Sequence, residues 1–110
     1  MNTEIRIPGP FATIGEIKAA NRDRGHYWFS PDTMRFFRSR ILGGPIKGRF
    51  FIASRQCVFS DGTAAPREYV VHAARDDGSI ETLMLNEIGH YQTAGAARTA
   101  LRAYIRQVTA

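Results

Sequence analysis

Three histidines and one cysteine are the groups in this 110-residue chain best suited to metal binding or nucleophilic chemistry. His26, His72, His90 and Cys57 are all zinc-ligand types, but no two of them are spaced as a close ligand pair such as Cys-x2-Cys or His-x3-His. Cys57 and His72 fall on adjacent expected strands, so a thiol–imidazole dyad can be drawn between them. Nothing in the sequence indicates a lowered thiol pKa or an oxyanion hole to go with it. There is no glycine-rich phosphate loop, no HExxH and no G-x-S-x-G. The expectation is a chain without catalytic residues, metal or cofactor.

Arginine offers a different chemistry. There are 15 basic residues against 10 acidic ones, a formal net charge of +5, and Lys18 and Lys47 are the only lysines. Guanidinium groups favour planar, bidentate contacts with carboxylate or phosphate. The charges are also segregated. Residues 22–55 carry eight basic and two acidic groups, whereas residues 61–90 carry two basic and six acidic ones. The densest stretch, GHYWFSPDTMRFFRSRI (25–41), places five aromatics among three arginines. Aromatic and arginine side chains together dominate interface hot spots and base-stacking platforms. Tyr27, Trp28, Arg35, Arg38 and Arg40 are therefore the expected partner-binding residues. Arg98, Arg102 and Arg106, four residues apart on one helix, form a second basic face. The competing reading is that these arginines pair with the acidic segment through Asp76, Asp77 or Glu81.

The elements that must position these groups can be read from caps and periods. Residues 1–12, with Pro8, Gly9 and Pro10, read as an extended arm preceding one domain over 13–110. TIGE (13–16) is a capping box that opens a helix ending at Gly25. Ser30, Pro31 and Asp32 open a second helix, with Phe29 stapled onto Met34. Met34, Phe37 and Ile41 make its core stripe, and GGP (43–45) ends it. Tyr27, Trp28 and Phe36 fall outside that stripe. Strands follow at 49–59, 67–75 and 79–88, the last two joined by the tight turn DDGS. Thr93 caps a closing helix with the stripe Ala97, Leu101, Tyr104, Ile105 and Val108. The predicted fold is α+β, in the order α-α-β-β-β-α. Its three-stranded antiparallel meander carries the helices on one face.

From TIGE through the GHYWFSPDTMRFFRSRI motif, PREYVV, DGSIET and the alanine-rich last helix, the chain resembles a small uncharacterised domain encoded in bacterial phages, plasmids and integrated elements. The resemblance spans roughly residues 13–105 and implies no catalytic residues. It implies a setting in which small proteins often act against host defence, including anti-CRISPR inhibitors that bind a defence complex. A second likeness is one of order alone. Without the first helix, α-β-β-β-α is the order of double-stranded RNA-binding domains. The last helix here begins TAGAAR and lacks the lysine pair such domains place there.

The resulting expectation is a non-enzymatic mobile-element protein that binds and inhibits a host macromolecular complex. The alternative is a basic module binding DNA or RNA. A single cysteine, no apolar run of membrane-spanning length and no apolar signal segment place it in the bacterial cytoplasm.

Overall fold

In a computed structural model, residues 6–109 are described. The chain is α+β, with three helices and a four-stranded antiparallel sheet in sequential order. The elements are α1 (Ile14–Asp23), α2 (Pro31–Phe36), β1 (Arg40–Ile41), β2 (Phe50–Arg55), β3 (Glu68–Ala74), β4 (Ile80–Thr82) and α3 (Ala94–Thr109). Residues 1–5 of the expected arm, and Ala110, lie outside the described residues.

Both caps form as their residue types dictate. Thr13 Oγ1 accepts from the Glu16 amide at 3.1 Å, and the Glu16 carboxylate accepts from the Ala12 amide at 3.2 Å. The reciprocal bond thus goes to Ala12 rather than to Thr13. Ser30 Oγ accepts from the Thr33 amide, with Pro31 in the first turn. The DDGS turn closes β3 onto β4. The Arg75 amide donates to the Ser79 carbonyl at 2.8 Å, and Gly78 takes a φ of +84°. A side chain at Gly78 would also strike the backbone of Ala20 and Asn21 in α1. The hairpin is held there by Asn21, buried, whose amide donates to the Gly78 carbonyl at 2.8 Å.

Three expectations need correction. The sheet has a fourth, two-residue strand, since Arg40 and Ile41 pair with Ser54 and Ala53. The helices cover both faces of the sheet, not one. Phe50, Ile52, Val71, Ala73 and Leu83 meet Ala97, Leu101 and Ile105 of α3, whereas Phe51, Ala53 and Ala74 meet Ile17 of α1 and Phe11 of the arm. The sign was present in the sequence. FFIAS in β2 and VVHAA in β3 put buried side chains on alternate sides, so both faces required cover. Finally, α2 ends at Phe36, well short of the GGP break. Phe37 is 45% exposed and Ile41 lies in β1, so Met34, Phe37 and Ile41 are not one helical stripe.

The strands are also shorter than their apolar runs, because chain pairing ends before the runs do. Past β2 the chain turns into a loose hairpin (Val58 opposite Ala64), and past β4 it is tied back where Tyr91 pairs with Tyr69. Leu83 is buried and Met84 exposed. The described part of the arm is built into the fold. Gly9 and Phe11 donate to the carbonyls of Lys47 and Gly48, and Phe11 is buried.

Candidate interaction surface

The exit from α2 decides where the arginines of the motif go. The Arg38 amide donates to the Arg35 carbonyl and the Ser39 amide to the Met34 carbonyl, with Arg38 at a φ of +49°. This is a Schellman termination with arginine in the left-handed position that glycine usually fills. It throws the chain from helix into edge strand across only three residues, Phe37 to Ser39. Arg35 on the helix, Arg38 in the turn and Arg40 on β1 consequently surround one shallow hollow of about 410 Å³, together with Ser39, Gln56 and Arg67. Arg67 holds the floor, its guanidinium donating to the Arg38 carbonyl and to Ser54 Oγ, both at 2.9 Å.

Carboxylates are scarce here. Arg35 lies 3.5 Å from Asp32, with both side chains mostly in solvent, a pair worth little. Arg38, Arg40 and Arg67 make no ion pair among the described residues. The acidic hairpin is occupied elsewhere. Asp76 lies 2.7 Å from Arg49, Glu81 lies 3.3 Å from Arg75, and Asp77 faces His26 at 3.9 Å. Donation from the Ser79 hydroxyl, then from its amide, holds the Asp77 carboxyl below its ordinary range. Arg98, Arg102 and Arg106 are exposed on α3, likewise without an ion pair among the described residues.

The aromatic half of the expected patch is redistributed. Trp28 is half-buried, set edge-on to Phe29, Phe51 and His72 at 4.6, 5.6 and 5.0 Å, and belongs to the packing on the α1 face. Phe29 likewise turns onto Phe51. Tyr27 is 76% exposed, but it borders a separate depression with His26, Asn21 and Ser79. The rings that stand beside the arginine hollow are Phe36, 79% exposed, and Phe37, edge-to-face at 4.9 Å. Phe36, Phe37, Gln56 and Arg67 are the surface residues that the expected site omitted. For Phe36 a signal existed, since it lies off the helical stripe. For Arg67 there was none, because its place depends on β3 pairing.

The zinc and dyad constellations do not assemble. Among the described residues no three histidine, cysteine, aspartate or glutamate side chains gather as a metal site. His72 pairs with Phe51 inside the sheet, whereas Cys57 lies beyond the end of β2 at Arg55. His72 is buried, whereas Cys57 is exposed.

Residues 13–102 match a family described as of unknown function, DUF7447. The chain belongs to that family. No curated protein and no solved structure matches it. The DUF7447 match begins at the Thr13 cap and runs into α3, so it takes in the whole sheet and the arginine hollow. No helix among the described residues is long and apolar enough to cross a membrane.

Proposed function

We propose that this DUF7447 chain is a non-enzymatic binding protein whose face at the end of α2 docks onto an acidic surface of a host macromolecular complex. The observation that carries the reading is that Arg35, Arg38, Arg40 and Arg67 all line one hollow, with exposed phenylalanine rings beside it. Cations that line one hollow repel one another, and an external anionic surface relieves the repulsion. Arginine beside an exposed ring is also the composition that concentrates binding energy at interfaces. The resemblance to a domain carried by mobile elements points to host defence as the setting, with a CRISPR effector as one candidate complex.

The test is phage plating on bacteria that carry an active CRISPR effector and express the chain. Plating efficiency is expected to recover with the wild-type chain and to fall back with Arg35→Glu/Arg40→Glu. Equal recovery with the variant removes the hollow from the function, and no recovery against any effector type removes the CRISPR assignment.

A second reading, nucleic-acid binding, draws on the same rings, since exposed Phe36 and Phe37 beside Arg38 could stack bases while the arginines meet phosphates. It predicts a gel shift with generic DNA or RNA whose affinity drops by about a hundredfold or more between roughly 50 and 200 mM salt. Absence of any shift at the lower salt excludes it.

A further inference from the structure

The short α2 leaves a space that no other element fills. None of its six residues is buried, so it stands off the sheet. Between it and the sheet lies an inner lobe of about 240 Å³, walled by Trp28, Phe37 and Val70 and reaching His72 and Thr82. Phe37 and Arg55 also line an outer lobe of about 450 Å³ that opens past Arg38. The two lobes together have the volume of a small-molecule cleft, typically about 300–1,000 Å³. An apolar cavity of about 150 Å³ already accepts benzene, so the inner lobe has room for a bicyclic ring.

The polar equipment of the inner lobe is specific. His72 is only 6% exposed. Its Nδ1 lies 3.3 Å from Thr82 Oγ1, and its Nε2 has no hydrogen-bond partner among the described residues. Burial, helped by nearby Arg55, depresses its pKa to about 4, so the ring is neutral near pH 7 and Nε2 presents either one donor or one acceptor. The ring is mostly buried but Nε2 is not sealed from solvent, so a polar ligand edge brought in with an apolar body can take the place of water there. At the mouth the two cations differ. Arg55 is neutralised by Glu68 at 2.9 Å, whereas Arg38 has no carboxylate among the described residues. An anionic group on the ligand would therefore meet Arg38.

We propose that this cleft binds a small planar heteroaromatic acid, its ring against Trp28 and Phe37, its ring nitrogen at His72 and its carboxylate at Arg38. The site shares Arg38 with the docking hollow, but Trp28 and His72, which hold the ring, line the inner lobe and not that hollow, so ring binding should survive Arg35→Glu/Arg40→Glu.

Indole-3-carboxylate is a suitable probe, with naphthalene-1-carboxylate lacking the ring nitrogen and indole-3-carboxamide lacking the charge. Trp28 is the only tryptophan, so its indole N–H gives a single, assignable NMR signal inside the site. Titration of the full chain should shift that signal and the His72 ring signals saturably. The expected Kd is about 1 mM or tighter, as befits a ligand of a dozen heavy atoms. Both analogues should bind several-fold more weakly, and Arg38→Gln should erase the difference between carboxylate and carboxamide. His72→Phe, which fills the lobe, should abolish the Trp28 shift in a chain whose remaining spectrum is native. If that variant does not fold, Phe37→Ala, at an exposed wall, should weaken binding instead. Shifts that do not saturate, equal binding of all three probes, or undiminished binding by the folded variants would overturn the proposal.

Discussion

His72 and Arg49 show what a single residue can and cannot reveal in sequence. Both are polar types that usually sit at the surface, yet His72 is 6% and Arg49 2% exposed. His72 is one step in an alternating strand, and its burial follows from the cover that Trp28 and Phe51 provide from elsewhere in the chain. Arg49 looked like one more charge in a basic segment. It is instead a fastener, donating to the Ala74 carbonyl at 2.9 Å and to Asp76 at 2.7 Å, with Gly9 of the arm pressed against it. Neither contact is local, so neither was legible. The buried imidazole makes a pH prediction. Unfolded, His72 takes up its proton near the ordinary 6.5, and folded, near 4. Between those values the unfolded chain binds the extra proton, so stability is full above about pH 6.5 and declines as the pH falls toward 4. The loss is about 3 kcal/mol. Asp61 and Asp77, whose carboxyls are held below 3.8 by hydrogen bonds from Thr63 and Ser79, act in a separate, more acidic window. Urea unfolding at several pH values should show the decline in the wild type and a much flatter profile in His72→Gln. Parallel profiles would mean that His72 is solvated.

Among the elements, the starts were legible and the ends were not. Caps at Thr13 and Ser30, the Asp77–Gly78 turn and the Ala97–Leu101–Ile105 stripe are written in neighbouring residues, and each forms. The end of α2 carries no glycine. It is imposed by Ile41 pairing opposite Ala53, and by Leu42, whose amide donates to the Ile52 carbonyl at 2.9 Å. Tertiary pairing thus overrides a helical pattern that runs on through Phe37. The backbone of Arg38 bears the strain, since a left-handed residue with a Cβ is held unfavourably. Its placement at the arginine hollow suggests that the strain is retained for the side chain. Arg38→Gly should therefore stabilise the fold by roughly 0.5–1 kcal/mol, raising Tm by about 4 °C, while weakening partner docking. A lower Tm would show that the guanidinium contributes to the fold rather than to a surface. Phe37 belongs to the same lesson, because its half-exposed ring lines the cleft instead of filling the core.

At the scale of the molecule, charge segregation along the chain becomes charge segregation in space. The acidic hairpin spends its carboxylates on Arg49, Arg75 and His26, all close to the DDGS turn. The hollow at α2 and β1 and the outer face of α3 keep their arginines for solvent or a partner. The overall class and the single sheet were legible because apolar periodicity encodes them. The two-sided cover was signalled only by the unbroken apolar runs of β2 and β3, which do not say which element covers which face. Two basic faces leave a choice, and net charge separates them. Arg35→Glu/Arg40→Glu takes the formal charge from +5 to +1, a change of four units. Arg98→Glu/Arg102→Glu/Arg106→Glu takes it to −1, a change of six. If long-range attraction alone guides binding, the α3 variant must lose more activity in the phage-plating assay. If the α2 hollow is the contact, the smaller charge change does the greater damage. Its loss should be roughly a hundredfold, against less than about tenfold for α3, because a hot spot responds to local pairing. All five residues are exposed, and Arg40 contributes to the sheet through its backbone, so both variants should melt within a few degrees of the wild type. The reverse order of activities, with both proteins folded, would move the docking surface to α3.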